Sequence, residues 1–260
     1  MMIPFALTFA AVFSLEIGLI SVLTVMPQLG KLGKTISESF TQAPGLDVIL
    51  SVIVWIPWLI SGLLVGWVGV LAALVGQLLA LQLWIVAHEL VHSEAVKGPR
   101  IVSYLNQRFG WWRNHLALWV TAVSVPVFFL IRLAEIALYP FLIWLLGFPT
   151  YKHSEWVNVS RQKFEGLVGH DLIWCLYCDW MTGVYSLGAE MLRNVESFWC
   201  PIRFYNDKKC ENCRIDFPDI DGGWVAKDGT MADVVQTIED NMPSDRQWTW
   251  FGHPDRGNRE

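Results

Sequence analysis

The stretch from residue 48 to residue 87 contains forty consecutive residues without a charged side chain. As one helix it would be roughly 60 Å long, about twice the thickness of the hydrocarbon core of a bilayer. Three glycines fall close together in SGLLVGWVG at 61–69, which favours a turn. We therefore predict a helical hairpin that spans a membrane, with arms at about 48–63 and 68–92.

Three further apolar stretches extend this pattern, at about 3–26, 115–131 and 133–147. The first lacks the basic start of a signal peptide, so we interpret it as a membrane helix. The last two form one apolar block, either a long tilted helix or a tight hairpin. The sequence predicts an all-α, polytopic membrane helical bundle over 1–147 with four or five membrane segments, in a lipid bilayer.

Three charged residues lie inside these apolar stretches: Glu16, Arg132 and Glu135. A charge at the bilayer centre costs about 2.5–3.5 kcal/mol on insertion scales, so such residues pair with each other or face a cavity. Arg132 and Glu135 are three residues apart and can pair on one helix, or they mark a turn. Glu16 has no local partner, and we expect it to face the bundle interior.

The charge balance changes along the chain. Residues 1–147 carry seven Lys/Arg and six Asp/Glu, whereas residues 148–260 carry twelve and eighteen. The second part is predicted to be a small water-facing or interfacial region, and its acidic balance argues against a nucleic-acid partner. Basic residues follow the first helix and fill the loop 93–114, so we expect both loops on the cytoplasmic side.

The hairpin ends in a recognisable motif. His88, Glu89 and His92 spell H-E-x-x-H, and residues four apart on a helix share one face. In such a site the histidines bind Zn²⁺ and the glutamate accepts a proton from the metal-bound water. The motif would lie near the cytoplasmic face. Gln77 and Gln82 project in nearly the same directions as His88 and Glu89, which indicates a bundle interior or a water-filled pocket.

The H88-E-L-V-H92 segment resembles the zinc motif of membrane metallopeptidases and the first histidine box of integral-membrane alkane hydroxylases. The first resemblance implies a zinc hydrolase in which Glu89 is the base. The second implies a non-haem iron site with further histidine boxes, yet the remaining histidines form no HxxHH cluster. For a third ligand we consider Glu190 first, with a solvated helix face as its alternative, and then His170 and Asp171.

All the cysteines fall within residues 175–213. Two C-x-x-C pairs and one isolated cysteine could form a structural zinc site, hold an iron–sulfur cluster or act as a redox dithiol. The apolar CLYC pair could instead be buried as small hydrophobic residues. The candidate ligands are Cys175, Cys178, Cys200, Cys210 and Cys213.

These patterns lead to three functional hypotheses. The first is a membrane-embedded metal-dependent enzyme, most simply a zinc hydrolase of the metallopeptidase type. The second is a non-haem iron membrane oxidase or hydroxylase. The third is a non-catalytic metal- or cluster-binding subunit or assembly factor of a larger membrane complex, which the abundance of Trp, 15 residues, would suit.

Overall fold

The structure is a computed structural model that describes residues 2–209, 211 and 223–241. Within these residues the chain is helical, with two isolated β-bridges and no strand. Cys210 and Cys213, two of the predicted metal ligands, lie outside the described residues.

The first part of the chain forms two long apolar helices and, between them, an apolar helical stretch that consists of two α-helices joined by a π-helical turn. A short 3₁₀ turn, Met26–Gln28, follows the first helix, and a π-helical turn, Ser51–Trp55, joins two others. The helices are α1 (Met2–Val25), α2 (Gly30–Ser39), α3 (Gly45–Leu50), α4 (Ile56–Val65) and α5 (Trp67–Val91).

The remaining helices are shorter, except for one of 31 residues that begins at Gly169. They are α6 (Ser93–Lys97), α7 (Ile101–Phe109), α8 (Trp111–Ala122), α9 (Val125–Ala137), α10 (Tyr139–Leu146), α11 (His153–Trp156), α12 (Gly169–Trp199) and α13 (Met231–Asn241).

In the described part of the chain, four helical stretches are long and apolar enough to cross a membrane, and they give the chain the character of a multi-pass membrane protein. They are Met2–Gln28, Gly45–Val65, Trp67–Val91 and Trp111–Leu146.

Local sequence explains where these stretches bend. The chain turns at Gly66, which has a φ of 74° and lies inside the segment 61–69. Only glycine adopts this conformation without strain. Pro126 and Pro140 stand in the first turns of α9 and α10, where the missing N–H of proline costs no helical hydrogen bond. The last apolar block is therefore three consecutive helices.

The chain forms two compact units. The first contains the residues up to Ala122 together with Val157–Trp180. The second contains Val123–Trp156 and the described residues from Met181 onward.

In the first unit α1 packs against a stripe of small residues on α5. Ala72, Ala73 and Ala80 are buried there. A Cβ added at Gly76 would lie 3.3 Å from the backbone of both Phe9 and Phe13. Small residues allow helix backbones to approach closely, and this favours helix association in lipid.

The second unit contains a buried ion pair on α9. Arg132 and Glu135 are 2.7 Å apart, and their side chains are 4% and 2% exposed. This confirms that the two charges within the last apolar block pair locally. The guanidinium of Arg132 also lies 3.0 Å from Nδ1 of His153.

We predict that Gly76→Val destabilises the protein because the added methyl groups would meet the backbone of α1. The expected loss is about 1–3 kcal/mol of unfolding free energy, the range for overpacked sites. Denaturant unfolding in detergent micelles measures it. Gly18→Val is the matched control, because nothing lies within 4 Å of a Cβ at that position. Equal losses in the two variants would contradict close packing at Gly76.

Candidate functional site

The HELVH segment at the end of α5 meets the N-terminus of α12. The backbone N–H of Gly169 donates to Nδ1 of His88 at 3.2 Å, and that of His170 donates to Oε1 of Glu89 at 3.0 Å. The first N–H groups of a helix have no partner within the helix itself. Side chains from the predicted metal motif therefore supply the N-terminal hydrogen-bond acceptors of α12.

Arg100 joins the two helices by its charge. Its guanidinium lies 2.7 Å from Oε1 of Glu89 and 3.2 Å from Oδ2 of Asp171. It also donates to the carbonyl of Val168 at 3.3 Å. The Arg100 side chain is only 8% exposed, so the two carboxylates compensate a cation that has lost most of its water. We call Glu89, Arg100 and Asp171 the charge clamp.

Asp171 completes the clamp from the first turn of α12. Burial alone would raise its pKa, but hydrogen bonds outweigh that effect and the pKa lies below its ordinary value. The backbone N–H of Val102 donates to Oδ1 at 3.0 Å, and Arg100 binds the other oxygen. Nδ1 of His170 lies 3.9 Å from the carboxylate, which is too long for a hydrogen bond. Asp171 is therefore held as an anion.

Gly169 is required at the start of α12 for two reasons. Its φ is +52°, a conformation that favours glycine, and a Cβ at this position would overlap the side chain of Glu89. The absence of a side chain allows the carboxylate to reach the first turn of the helix.

The two histidines of the motif lie against each other. Their ring centroids are 4.2 Å apart and the ring planes differ by 25°. Nδ1 of His92 donates to the carbonyl of His88 at 2.9 Å, because a carbonyl only accepts. In its neutral form His88 carries its proton on Nε2, since its Nδ1 accepts from Gly169. The unprotonated nitrogen of His88, which a metal would need, is therefore occupied by a backbone N–H.

In this arrangement the residues predicted to hold zinc are engaged in other contacts. Among the described residues, no group of three His, Cys, Asp or Glu side chains is placed to hold a metal ion. A metal binds in the plane of an imidazole ring, and the lone pairs of stacked rings run side by side rather than converging. Glu89, the predicted base, accepts two hydrogen bonds on Oε1.

The structure places Glu190, the first choice for a third ligand, in the second unit and not on a solvated helix face. Its side chain is 6% exposed and pairs with Arg193. Tyr151 donates to it at 3.2 Å, and Asn194 donates to the same tyrosine at 2.6 Å. These partners make Glu190 part of a buried polar network within its own unit.

Cys175 and Cys178 lie in the first unit, near Arg161, whereas Cys200 lies in the second. Burial raises the pKa of the Cys175 thiol, although the guanidinium of Arg161 opposes this effect. Because metals and electrophiles react with the thiolate, this environment does not activate Cys175.

A partly open cavity of about 490 Å³ lies next to the charge clamp in the first unit. Residues from α5, α8 and α12 line it. Its walls contain the indole rings of Trp111, Trp112, Trp119 and Trp174. Trp119 and Trp174 pack edge to face, with centroids 5.4 Å apart.

Three polar side chains also line this cavity: Gln82, His115 and His170. His170 accepts a hydrogen bond from the indole of Trp174 at 3.2 Å, and its ring contacts that of His115 edge to face. Gln82 and His115 make no hydrogen bond with any other residue that the structure describes. The cavity therefore combines aromatic walls with two polar groups available to a ligand.

Sequence reasoning did not identify Arg100, Gly169 or the four tryptophans as site residues. In the sequence, Arg100 contributes only to the positive charge of the loop 93–114, although it is the sole basic residue between Lys97 and Arg108. Asp171 and His170 were second-choice metal ligands, and the structure instead assigns them to the clamp and the cavity wall. Only the placement of α12 reveals these roles.

No protein-family model matches the chain, and neither the curated proteins nor the solved structures contain a match to it. The functional argument therefore stands on the site itself.

We predict that Glu89→Gln destabilises the fold, because Arg100 would keep only one carboxylate partner and α12 would lose a charged acceptor. The expected loss is about 1–3 kcal/mol of unfolding free energy. Thermal and denaturant unfolding in detergent micelles measure it.

Glu94→Gln is the matched control for this change. Glu94 pairs with Lys97 at 2.7 Å, but the two side chains are 85% and 69% exposed. Its loss should cost less than about 0.5 kcal/mol. A Glu89→Gln variant as stable as the Glu94→Gln variant would show that the clamp does not hold α12.

Proposed function

We propose that the chain is an integral-membrane protein that binds a flat, lipophilic molecule carrying carbonyl oxygens, of the quinone type, in the tryptophan-lined cavity. The observation that carries this proposal is the pairing of four indole rings with the unpartnered polar groups of Gln82 and His115. The charge clamp holds the α12 wall of the cavity in place.

The position of Gln82 supports a ligand. It lies on α5 within a stretch that can span a membrane, and its amide has no hydrogen-bond partner in the described part of the chain. In a bilayer an unsatisfied polar group costs several kcal/mol. A carbonyl oxygen would accept from the amide N–H of Gln82, and a second one would accept from the His115 ring.

The walls select the shape of the molecule. Aromatic side chains prefer edge-to-face or offset packing with other flat rings, and these contacts contribute about 0.5–1.5 kcal/mol beyond area burial. The volume of about 490 Å³ is within the usual range for a small-molecule site. A ring system with a short alkyl tail fits such a space, and the open side lets a longer tail extend outward.

We expect a decyl-substituted benzoquinone to quench the tryptophan fluorescence of the detergent-solubilised protein in a saturable manner. Gln82→Leu should weaken binding about tenfold, because one hydrogen bond is lost from a site of low polarity. Trp119→Leu should reduce the amplitude of quenching, since it removes one of the cavity indoles. Fluorescence titration measures both effects.

Trp144→Leu is the matched control, because Trp144 lies in the second unit and is 78% exposed. It should leave the dissociation constant unchanged. Quenching that rises linearly with the quinone concentration, and is the same in wild type and Gln82→Leu, would reflect partition into the micelle and would end this proposal.

The metal-dependent enzyme is the second candidate, and the H-E-x-x-H spacing of His88, Glu89 and His92 favours it. The zinc hydrolase and the non-haem iron oxidase both need His88 to release Gly169 before it could bind a metal. A metal and the N-terminus of α12 would compete for the same nitrogen. The non-catalytic subunit, with or without a metal on the cysteines, remains a proposal from composition alone.

Metal analysis of the purified protein separates these candidates. An enzyme of the metal type should contain about one zinc or iron that the double variant His88→Ala/His92→Ala loses. The quinone-binding protein should show the same metal content in wild type and in the double variant. Equal metal contents would exclude both metal enzymes, whereas loss of a stoichiometric metal would favour them.

A further inference from the structure

Glu16 is a buried acid that has no counter-ion among the residues that the structure describes. It is the only charged residue of α1, and it is 3% exposed. Helix α1 packs mainly against α5 and, to a smaller extent, against α4. Neither contains a Lys or Arg, and their nearest titratable residues are His88 and Glu89 at the far end of α5. Burying an ionised carboxylate with no cation nearby is very costly.

The side chain of Gln77 on α5 lies within hydrogen-bonding reach of Glu16. Gln77 donates hydrogen bonds to backbone carbonyls of the π-helical turn Ser51–Trp55, which precedes α4. Pro57 has no N–H and therefore cannot donate to the carbonyl of Ile53, four residues earlier. The amide nitrogen of Gln77 donates to this carbonyl at 2.6 Å and to that of Val54 at 3.2 Å.

Gln77 has therefore used both of its amide hydrogens. Its oxygen accepts from the indole N–H of Trp58 at 2.6 Å and retains one lone pair. Toward Glu16, Gln77 can thus act only as an acceptor. Only a protonated carboxyl can donate to it. In the part of the chain that the structure describes, Oε1 of Glu16 is buried and has no hydrogen-bond partner.

We propose that Glu16 is a proton-binding site inside the membrane, where its carboxyl holds an exchangeable proton and donates it to the oxygen of Gln77. The chemistry favours a proton over a metal cation as the occupant. A cation such as Na⁺ would need several free oxygen ligands. The oxygen of Gln77 is already shared with Trp58, and the nearby carbonyls of Ile53 and Val54 accept from Gln77.

A hydrophobic carbodiimide tests this site directly. Dicyclohexylcarbodiimide reacts with a protonated carboxyl: the acid proton moves to one nitrogen, and a carboxyl oxygen bonds to the central carbon. The resulting O-acylisourea rearranges to a stable N-acylurea, so nothing leaves and the residue gains the mass of one reagent. Mass spectrometry of peptides from the full chain in detergent identifies the modified residue.

We expect Glu16 to be modified at about pH 6, with a rate that falls about tenfold for each pH unit above its titration midpoint. Glu135 is the matched control. It is equally buried, but its ion pair with Arg132 at 2.7 Å keeps it ionised, so it should not react. Glu16→Gln should abolish the modification and keep the melting temperature, because the amide N–H can replace the acid O–H as donor.

Three results would overturn the proposal. Glu16 would not be a proton site if it stayed unmodified between about pH 5 and pH 8. Protection by Na⁺ at constant pH would show a cation site instead. A large fall in melting temperature for Glu16→Gln would show that the fold needs the carboxylate itself.

Discussion

The burial of one guanidinium group organises the functional end of the first unit. Arg100 is 8% exposed and requires compensation of its charge, which Glu89 from α5 and Asp171 from α12 provide. Because the two carboxylates come from different helices, the start of α12 is fixed beside the end of α5. The cavity wall depends on this contact, since His170 directly precedes Asp171 and Trp174 follows it within the next turn.

The HELVH motif shows how one pattern can serve two kinds of chemistry. A carboxylate between two histidines suits a zinc site, but it equally suits the N-terminus of a helix, where N–H groups and the helix dipole attract an anion. The spacing of the motif is the same in both cases. The occupied nitrogen of His88 and the two donors on Glu89 are what favour the helix-capping role in this arrangement.

In the membrane-spanning part too, a polar group that lacks a partner on its own helix receives one from another helix. Pro57 removes a helical donor, and Gln77 supplies a replacement from another helix. Because Gln77 donates its amide hydrogens to the carbonyls of Ile53 and Val54, it offers Glu16 only its oxygen, which is an acceptor. The proline in one helix therefore favours a protonated Glu16 on α1. In water such gaps would be filled by solvent, whereas in lipid they must be filled by protein or ligand.

The sequence by itself determined the helical class, the apolar stretches and the turn near Gly66, because these depend on hydropathy, chain length and short spacings. It left Arg132 and Glu135 open between a local pair and a turn, and the structure shows the pair. It also indicated that Glu16 faces the bundle. Only the tertiary structure joined Glu89, Arg100 and Asp171, placed Glu190 in a separate network and assembled the tryptophan-lined cavity. The hydrogen bonds between α5 and α12, from Gly169 to His88 and from His170 to Glu89, each join residues 81 positions apart. Periodicity reports which residues share a face, but it carries no information about which distant segment covers that face.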